Sequence, residues 1–310
     1  MIEKIVEVAP RDIASIQINR FSIYTSGKEN KKTVYDMCTL EKRGNVFFLT
    51  LTGDGRDEHR LNPTLIASIR SALSEAKSQS THSTALITVA EGKFFSNGFD
   101  LAWAKSASGG SPSEAVNLLF HMVELFKDLV ADFISLPMPT IAAVTGHAAA
   151  AGQLLAMSHD YVLMSRHRGV LYMSEVDIGM ALPEYVSVLM RSKVAKPNVR
   201  RDVLLRGVKV KAEEAVAKGL IDAAYDNREK TVEGGVRLAE ELIKRKWDGE
   251  VYAEIRKSLY PELCGVLGLI SREKLDSKFG DGNRKGGIVI FIFISLFLSL
   301  LGDTSRDVIV

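Results

Sequence analysis

Two stretches hold residues whose small size suits chemistry done by the backbone. The first is "FFSNGFDL" (94–101), which follows the apolar run "TALITVA" (84–90). The second is "GHAAAAGQLLAMSHD" (146–160), which follows "TIAAVTG" and sets four consecutive alanines ahead of Gly152. An N–H at a helix start has no intrahelical acceptor and carries a partial positive charge, and small side chains let a ligand approach it closely. Two such donors aimed at one point would form an oxyanion hole, which holds charge developing on a carbonyl oxygen. Each stretch also has a purely structural explanation. An Ala-rich helix start packs tightly on a sheet, and a lone loop glycine marks a turn.

Several other chemistries are excluded. No GxGxxG follows a strand and no GxxxxGK(S/T) occurs, so neither phosphate-cradling loop is present. Adjacent residues cannot converge as a triad must, so "SHD" (158–160) is not one. His59, His82, His121, His159 and His167 lack metal-ligand spacing, and no metal is predicted. His147, beside the alanine run, is read as a packing residue, and Trp103 as a pocket wall or core residue.

The elements that must position these stretches alternate strand and helix. "NVFFLTLTG" (45–53) reads as a strand, and "NPTLIASIRSALSEAKS" opens with Asn62 as N-cap and Pro63 at the first helical position. "TALITVA" is a strand running into the loop "EGKFFSNGFDL". Leu118, Leu119, Met122, Leu125, Phe126, Leu129 and Phe133 recur at helical spacing until "PMPT" breaks the pattern. The strand "TIAAVTG", a helix through the alanines, short strands "DYVLMS" and "GVLYM", and a mostly helical remainder from Pro183 to about Leu269 follow. Such alternation predicts an α/β fold with right-handed crossovers and a largely parallel sheet.

With 310 residues, 46% hydrophobic and 25% charged, the chain can bury a sizeable core. Net charge is +2 with basic residues dispersed along the sequence, which argues against a nucleic-acid partner. Cys38 and Cys264 stand far apart, outside any CxxC, and fit a reducing compartment. Residues 1–36 are read as a poorly ordered N-terminal extension. The tail 271–310 holds the apolar segment "IVIFIFISLFLSLL" (288–301), short of the ~20 residues of a spanning helix. It is left open between a membrane-contacting segment and a buried element.

Taken in order, "GKFFSNGFDLAWA", "PMPTIAAVTGHAAAAGQLLAMSHDYVLM", "GVLYMSEVDIG", "KAEEAVAKGLID" and "GEVYAEIRKSLYPELCGVLGL" resemble the crotonase-fold (enoyl-CoA hydratase/isomerase) family, and within it the plant peroxisomal Δ3,Δ2-enoyl-CoA isomerases. The resemblance covers residues 37–270. It implies the crotonase (ββα-superhelix) fold with a mostly helical C-terminal part, and an isomerase that moves a 3-enoyl-CoA double bond to the trans-2 position in β-oxidation.

Carried over residue by residue, the oxyanion N–H groups fall on Phe99 and Ala151, and Ser96, Asn97, Gly98, Phe99, Asp100 and Ala151 line the acyl-CoA site. Hydratases of this fold use two glutamates. The first matches Leu154, which cannot activate water, and the second matches Glu175, the favoured base. Glu184 is the rival, because other peroxisomal isomerases place their glutamate at that later position. The resemblance further implies no cofactor beyond the coenzyme A of the substrate, a homotrimer or hexamer, and a peroxisomal location, although "VIV" ends the chain where a targeting tripeptide is expected and leaves a cytosolic or membrane-associated location as the alternative. A catalytically idle acyl-CoA-binding homologue and a thioester hydrolase are the alternatives.

Overall fold

The alternating pattern folds into two sheets with helices packed around them. The computed structural model describes residues 5–6, 20–24, 31–53, 55 and 58–270, so the tail with its segment 288–301 lies outside the described residues. The larger sheet opens with β1 (Ile5–Val6), β2 (Arg20–Tyr24), β3 (Lys31–Tyr35), β4 (Cys38–Arg43) and β5 (Val46–Leu51), antiparallel neighbours in chain order. Beyond β5 it turns parallel through β6 (Ala85–Ala90), β8 (Thr140–Val144), β10 (Tyr161–Ser165) and β13 (Ala223–Tyr225). Every residue of β6 and of β8 is buried, as expected of parallel strands covered on both faces. On one face Ile87, Ile141 and Leu163 pack with Ala239 of helix α8 (Arg228–Ile243).

Helix α1 (Pro63–Ser78) starts where the sequence places it. The Asn62 side chain accepts from Leu65 N at 2.9 Å, with Pro63 at the first helical position. The α1 residue Glu75 corrects the reading of 1–36 as an extension. It is buried and accepts from Thr33 Oγ1 (2.9 Å) and Tyr35 Oη (2.6 Å), with Lys31 Nζ at 3.1 Å. Strand β3 is thus part of the body, and the boundary read at Met37 falls inside its hairpin with β4.

The smaller sheet is built from β7 (Phe94–Ser96), β9 (His147–Ala149), β11 (Val170–Tyr172) and β12 (Val210–Lys211), in the order β12-β11-β9-β7. The strands β7, β9 and β11 are parallel, and β12 is antiparallel to β11. Two expectations are corrected here: part of "EGKFFSNGFDL" is a strand, and so are the first alanines, with helix α4 (Ala151–Met157) beginning only at Ala151. The glycines around the alanines explain the pairing. A Cβ on Gly146 would lie 2.8 Å from the Lys93 carbonyl carbon, and one on Gly152 would lie 2.7 Å from that of Ser96. The bordering glycines therefore admit the β7 backbone.

The remainder is mostly helical, with α5 (Glu184–Lys193), α6 (Pro197–Arg206), α7 (Ala212–Lys218), α8, α9 (Gly249–Leu259) and α10 (Pro261–Val266). Helix α9 is fastened by Arg256, which is 3% exposed. Its guanidinium donates to both Asp160 carboxylate oxygens (2.7 and 2.6 Å) and to the carbonyls of Leu136 (2.6 Å) and Met138 (2.5 Å). Among the described residues no helix is long and apolar enough to cross a membrane.

Candidate active site

Each parallel strand of the small sheet runs directly into one of the groups singled out by sequence. Strand β7 leads to Phe99, β9 to Ala151, and β11 to Glu175. The first two exits touch. Gly98 has φ +74, a conformation that favours glycine, and a Cβ there would lie 3.0 Å from Ala150 Cβ and 3.5 Å from Ala151 N. The third exit is tied to the second, since Ala150 N donates to Tyr172 O at 2.8 Å.

The loop 96–100 uses most of its polar groups to hold itself. Ser96 is fully buried and its hydroxyl donates to His59 O at 2.8 Å. Asn97 N donates to Glu58 O (2.8 Å), Leu61 N to Gly98 O (2.8 Å) and Asp100 N to Leu61 O (3.2 Å). The Asp100 side chain caps helix α2 (Leu101–Ala107) by accepting from Trp103 N at 2.9 Å. Phe99 and Leu61 are bridge partners, so the N–H of Phe99 is directed to the other side of its strand, by the alternation of extended backbone. The phenyl ring of Phe99 meets Phe126 of α3 (Pro112–Ile134) edge to face at 5.6 Å.

Ala151 is the first residue of α4, so its N–H lacks an intrahelical acceptor. Neither this N–H nor that of Phe99 donates to another described residue. Ala150, just before it, has φ +50 and ψ −126, a strained backbone for a residue with a Cβ. Strain of that kind persists only where the surroundings fix it, here the bond to Tyr172 and the Gly98 contact. Leu154 of the same helix is 2% exposed and apolar.

The two candidate bases differ in surroundings. Glu175 is half-buried, and its Oε2 is buried with no hydrogen-bond partner. Burial pushes its carboxyl above the ordinary value, partly offset by the N–H groups of Glu175 and Ser174. Glu184 is exposed in the first turn of α5, after Pro183, where a carboxylate complements the helix dipole.

The histidines next to the alanine run serve packing. His147 meets Phe94 edge to face at 5.2 Å, and burial with the charges of Lys93 and Arg168 holds it below the ordinary histidine value. In "SHD", Ser158 Oγ donates to Leu154 O (2.8 Å) and His159 bridges Leu155 O and Thr88 Oγ1 (3.0 and 2.7 Å). Asp160 accepts from Arg256. Burial pushes both cysteine thiols upward, and they are free. Among the described residues no three His, Cys, Asp or Glu side chains group as metal ligands. Tyr172 is the residue that sequence reasoning missed, because its role rests on a carbonyl that only strand pairing reveals.

Two unused N–H groups lie at adjacent strand exits, with a partly desolvated carboxylate at the next, an arrangement able to hold a carbonyl oxygen and accept a proton. The enoyl-CoA hydratase/isomerase family model matches residues 43–260, and the chain belongs to that family. It is 62% identical over 76% of its length to the peroxisomal enoyl-CoA delta isomerase 2 of Arabidopsis thaliana, covering 97% of that protein. It is 58% identical over 75% of its length to enoyl-CoA delta isomerase 3 of the same plant, covering 96% of that protein. Its fold matches the apo structure of an Mtb enoyl-CoA isomerase with TM-score 0.66 and 21% identity, over 76% of this chain and 95% of that one. The fold is the crotonase fold.

Proposed function

We propose that this chain is a Δ3,Δ2-enoyl-CoA isomerase in which Glu175 is the proton shuttle and the Phe99 and Ala151 N–H groups hold the thioester oxygen. The carrying observation is the unpartnered, buried Oε2 of Glu175, one strand exit from two unused donors. Glu175 takes the proton from C2 of a 3-enoyl-CoA, and electrons shift onto the thioester oxygen, where the two N–H groups stabilise them. Collapse of the dienolate returns the same proton to C4, which leaves a 2-enoyl-CoA with no other reactant consumed. The apolar Leu154 favours this outcome over hydration, since it supplies no second carboxylate to activate water. Coenzyme A enters only as part of the substrate.

The relatives' names support the reading, and the peroxisomal name of the 62%-identical relative supports a peroxisomal site of action. A stripe of exposed Val251, Ile255 and Leu259 on α9 supports self-association, in keeping with the homotrimer or hexamer implied by the family resemblance. Conjugation of 3-hexenoyl-CoA, followed by absorbance on the full chain, is the test. Glu175→Gln is expected to abolish it while acyl-CoA still binds, and Glu184→Gln to retain it. The reverse pattern would move the base to Glu184, and a wild-type chain that binds acyl-CoA without turnover would leave the idle homologue.

A further inference from the structure

Among the described residues, His59, Ser83, Ala150 and Lys246 are the non-glycine residues with positive φ. Two of them grip the same loop, 96–100. His59, with φ +45, is 2% exposed and accepts the Ser96 hydroxyl on its carbonyl at 2.8 Å. Its ring is fixed in turn, with Nε2 2.5 Å from Glu91 O and Nδ1 only 2.9 Å from where a Cβ on Gly53 would lie. Ala150, with φ +50 and ψ −126, bears on the loop at Gly98. A Cβ on Gly98 would meet the Ala150 methyl first, at 3.0 Å, then Ala149 O at 3.2 Å and Ala151 N at 3.5 Å. The methyl therefore fills the side of Gly98 that a side chain would take.

The torsions of Ala150 strain any residue that has a Cβ, whereas glycine adopts them freely. An alanine kept in such a place needs a use for its methyl. Two peptide groups supply one. The Ala151 N–H belongs to the peptide that joins Ala150 to Ala151, so ψ of Ala150 aims that donor. The Phe99 N–H belongs to the peptide that joins Gly98 to Phe99, whose carbonyl accepts from Leu61 N at 2.8 Å. That one bond leaves the peptide free to rock, because Gly98 has no side chain to restrict its own torsions. The methyl blocks the motion, and it does so from a fixed base: Ala150 N donates to Tyr172 O at 2.8 Å, and Ala150 O accepts from Gln153 N at 2.9 Å. One residue thus aims the first donor through its backbone and steadies the second through its side chain.

We propose that Ala150 is a positioning residue for isomerisation, its methyl a spacer that keeps the Phe99 and Ala151 N–H groups converged on one oxygen. The inference rests on the isomerase reading above and gives the strain at Ala150 a use.

Ala150→Gly removes the spacer and the strain together. Relief of strain outweighs the freedom that glycine returns to the unfolded chain, so the variant should melt at or above the wild-type temperature. Its kcat on 3-hexenoyl-CoA should nevertheless fall by about tenfold or more with KM little changed, since a misplacement of about 1 Å costs about 10²-fold. Ala150→Ser keeps the Cβ and should retain most of kcat. Amide hydrogen exchange over 96–100, which requires no turnover, should quicken in Ala150→Gly and not in Ala150→Ser. Wild-type kcat or wild-type exchange in Ala150→Gly overturns the proposal. So does a raised KM at wild-type kcat, which would make the methyl a substrate contact, and so does a lowered melting temperature, which would make it ordinary packing. Ala150→Ser as slow as Ala150→Gly would also overturn it. If the wild type does not isomerise 3-hexenoyl-CoA, the isomerase reading fails, and the exchange comparison alone decides whether the methyl braces the loop.

Discussion

Gly152→Ala should separate the two proposed oxyanion donors without touching either. The added methyl would lie 2.7 Å from the Ser96 carbonyl carbon and 2.9 Å from its Cβ. Carbon atoms rest at about 3.5 to 4.0 Å, so the β7 exit and the start of α4 must part by about 1 Å. Ser96 cannot yield alone, because it is fully buried and bonded to His59 O. Nor can Gly152, which is fixed in the first turn of α4. Phe99 is three residues beyond Ser96 and Ala151 adjoins Gly152, so the displacement falls on the donor pair. A misplacement of about 1 Å costs about 10²-fold in rate, close to the 10²- to 10³-fold loss on deleting one donor. Overpacking should also cost about 1 to 3 kcal/mol of stability, measured by denaturant titration. Conjugation of 3-hexenoyl-CoA gives kcat. Gly265→Ala in α10 is the control, since a methyl there meets nothing within 4 Å, and it should leave kcat unchanged. A folded Gly152→Ala protein with a near-wild-type kcat would refute the donor geometry.

The pH profile of kcat/KM should have an acid limb above the ordinary carboxylate value of about 4.3, because Glu175, as the proposed base, must lose a proton that burial favours. A limb at or below that value contradicts the assignment. The folded protein holds this proton more tightly than the unfolded chain, so the glutamate contributes stability at low pH that is lost as pH rises through its raised pKa. Glu175→Gln should consequently be more stable than wild type at neutral pH in thermal melts. Arg256→Met should cost about 3 to 5 kcal/mol by leaving the buried Asp160 carboxylate uncompensated, and adding Asp160→Asn should restore part of it in denaturant titrations. No rescue would mean that lost packing, rather than stranded charge, is the cost. The chain shortened after Ile270 should keep its fold and isomerase activity by circular dichroism and absorbance assay, since the family match ends at residue 260. Unfolding on truncation would put the tail into the core.

Long-range geometry separates what the sequence revealed from what it concealed. The strands at Ala85–Ala90 and Thr140–Val144 were legible because full burial writes a continuous apolar run, and α1 because Asn62 and Pro63 mark its start. The strand His147–Ala149 was hidden, since alanine favours helix and only the close approach of β7, permitted by Gly146 and Gly152, overrides that preference. Strand β3 was hidden because its polar residues are satisfied by Glu75, a partner far along the chain. The candidate site followed the family motif to Phe99, Ala151 and Glu175, but nothing local distinguishes Glu175 from Glu184. Their burial differs, and that difference comes from folding.

The ladder of the small sheet also works as a caliper. Neighbouring strands lie about 4.8 Å apart. Two donors at that separation reach a common oxygen at about 2.9 Å each when their bonds meet at about 110°, close to the angle between the lone pairs of an sp² oxygen. The proposed donors, Phe99 three residues beyond β7 and Ala151 two beyond β9, would take their spacing from that backbone pairing. The proposed proton-transfer group issues from a different rung, β11. A scaffold of this kind would keep enolate stabilisation constant while leaving the fate of the enolate to whatever the third strand delivers.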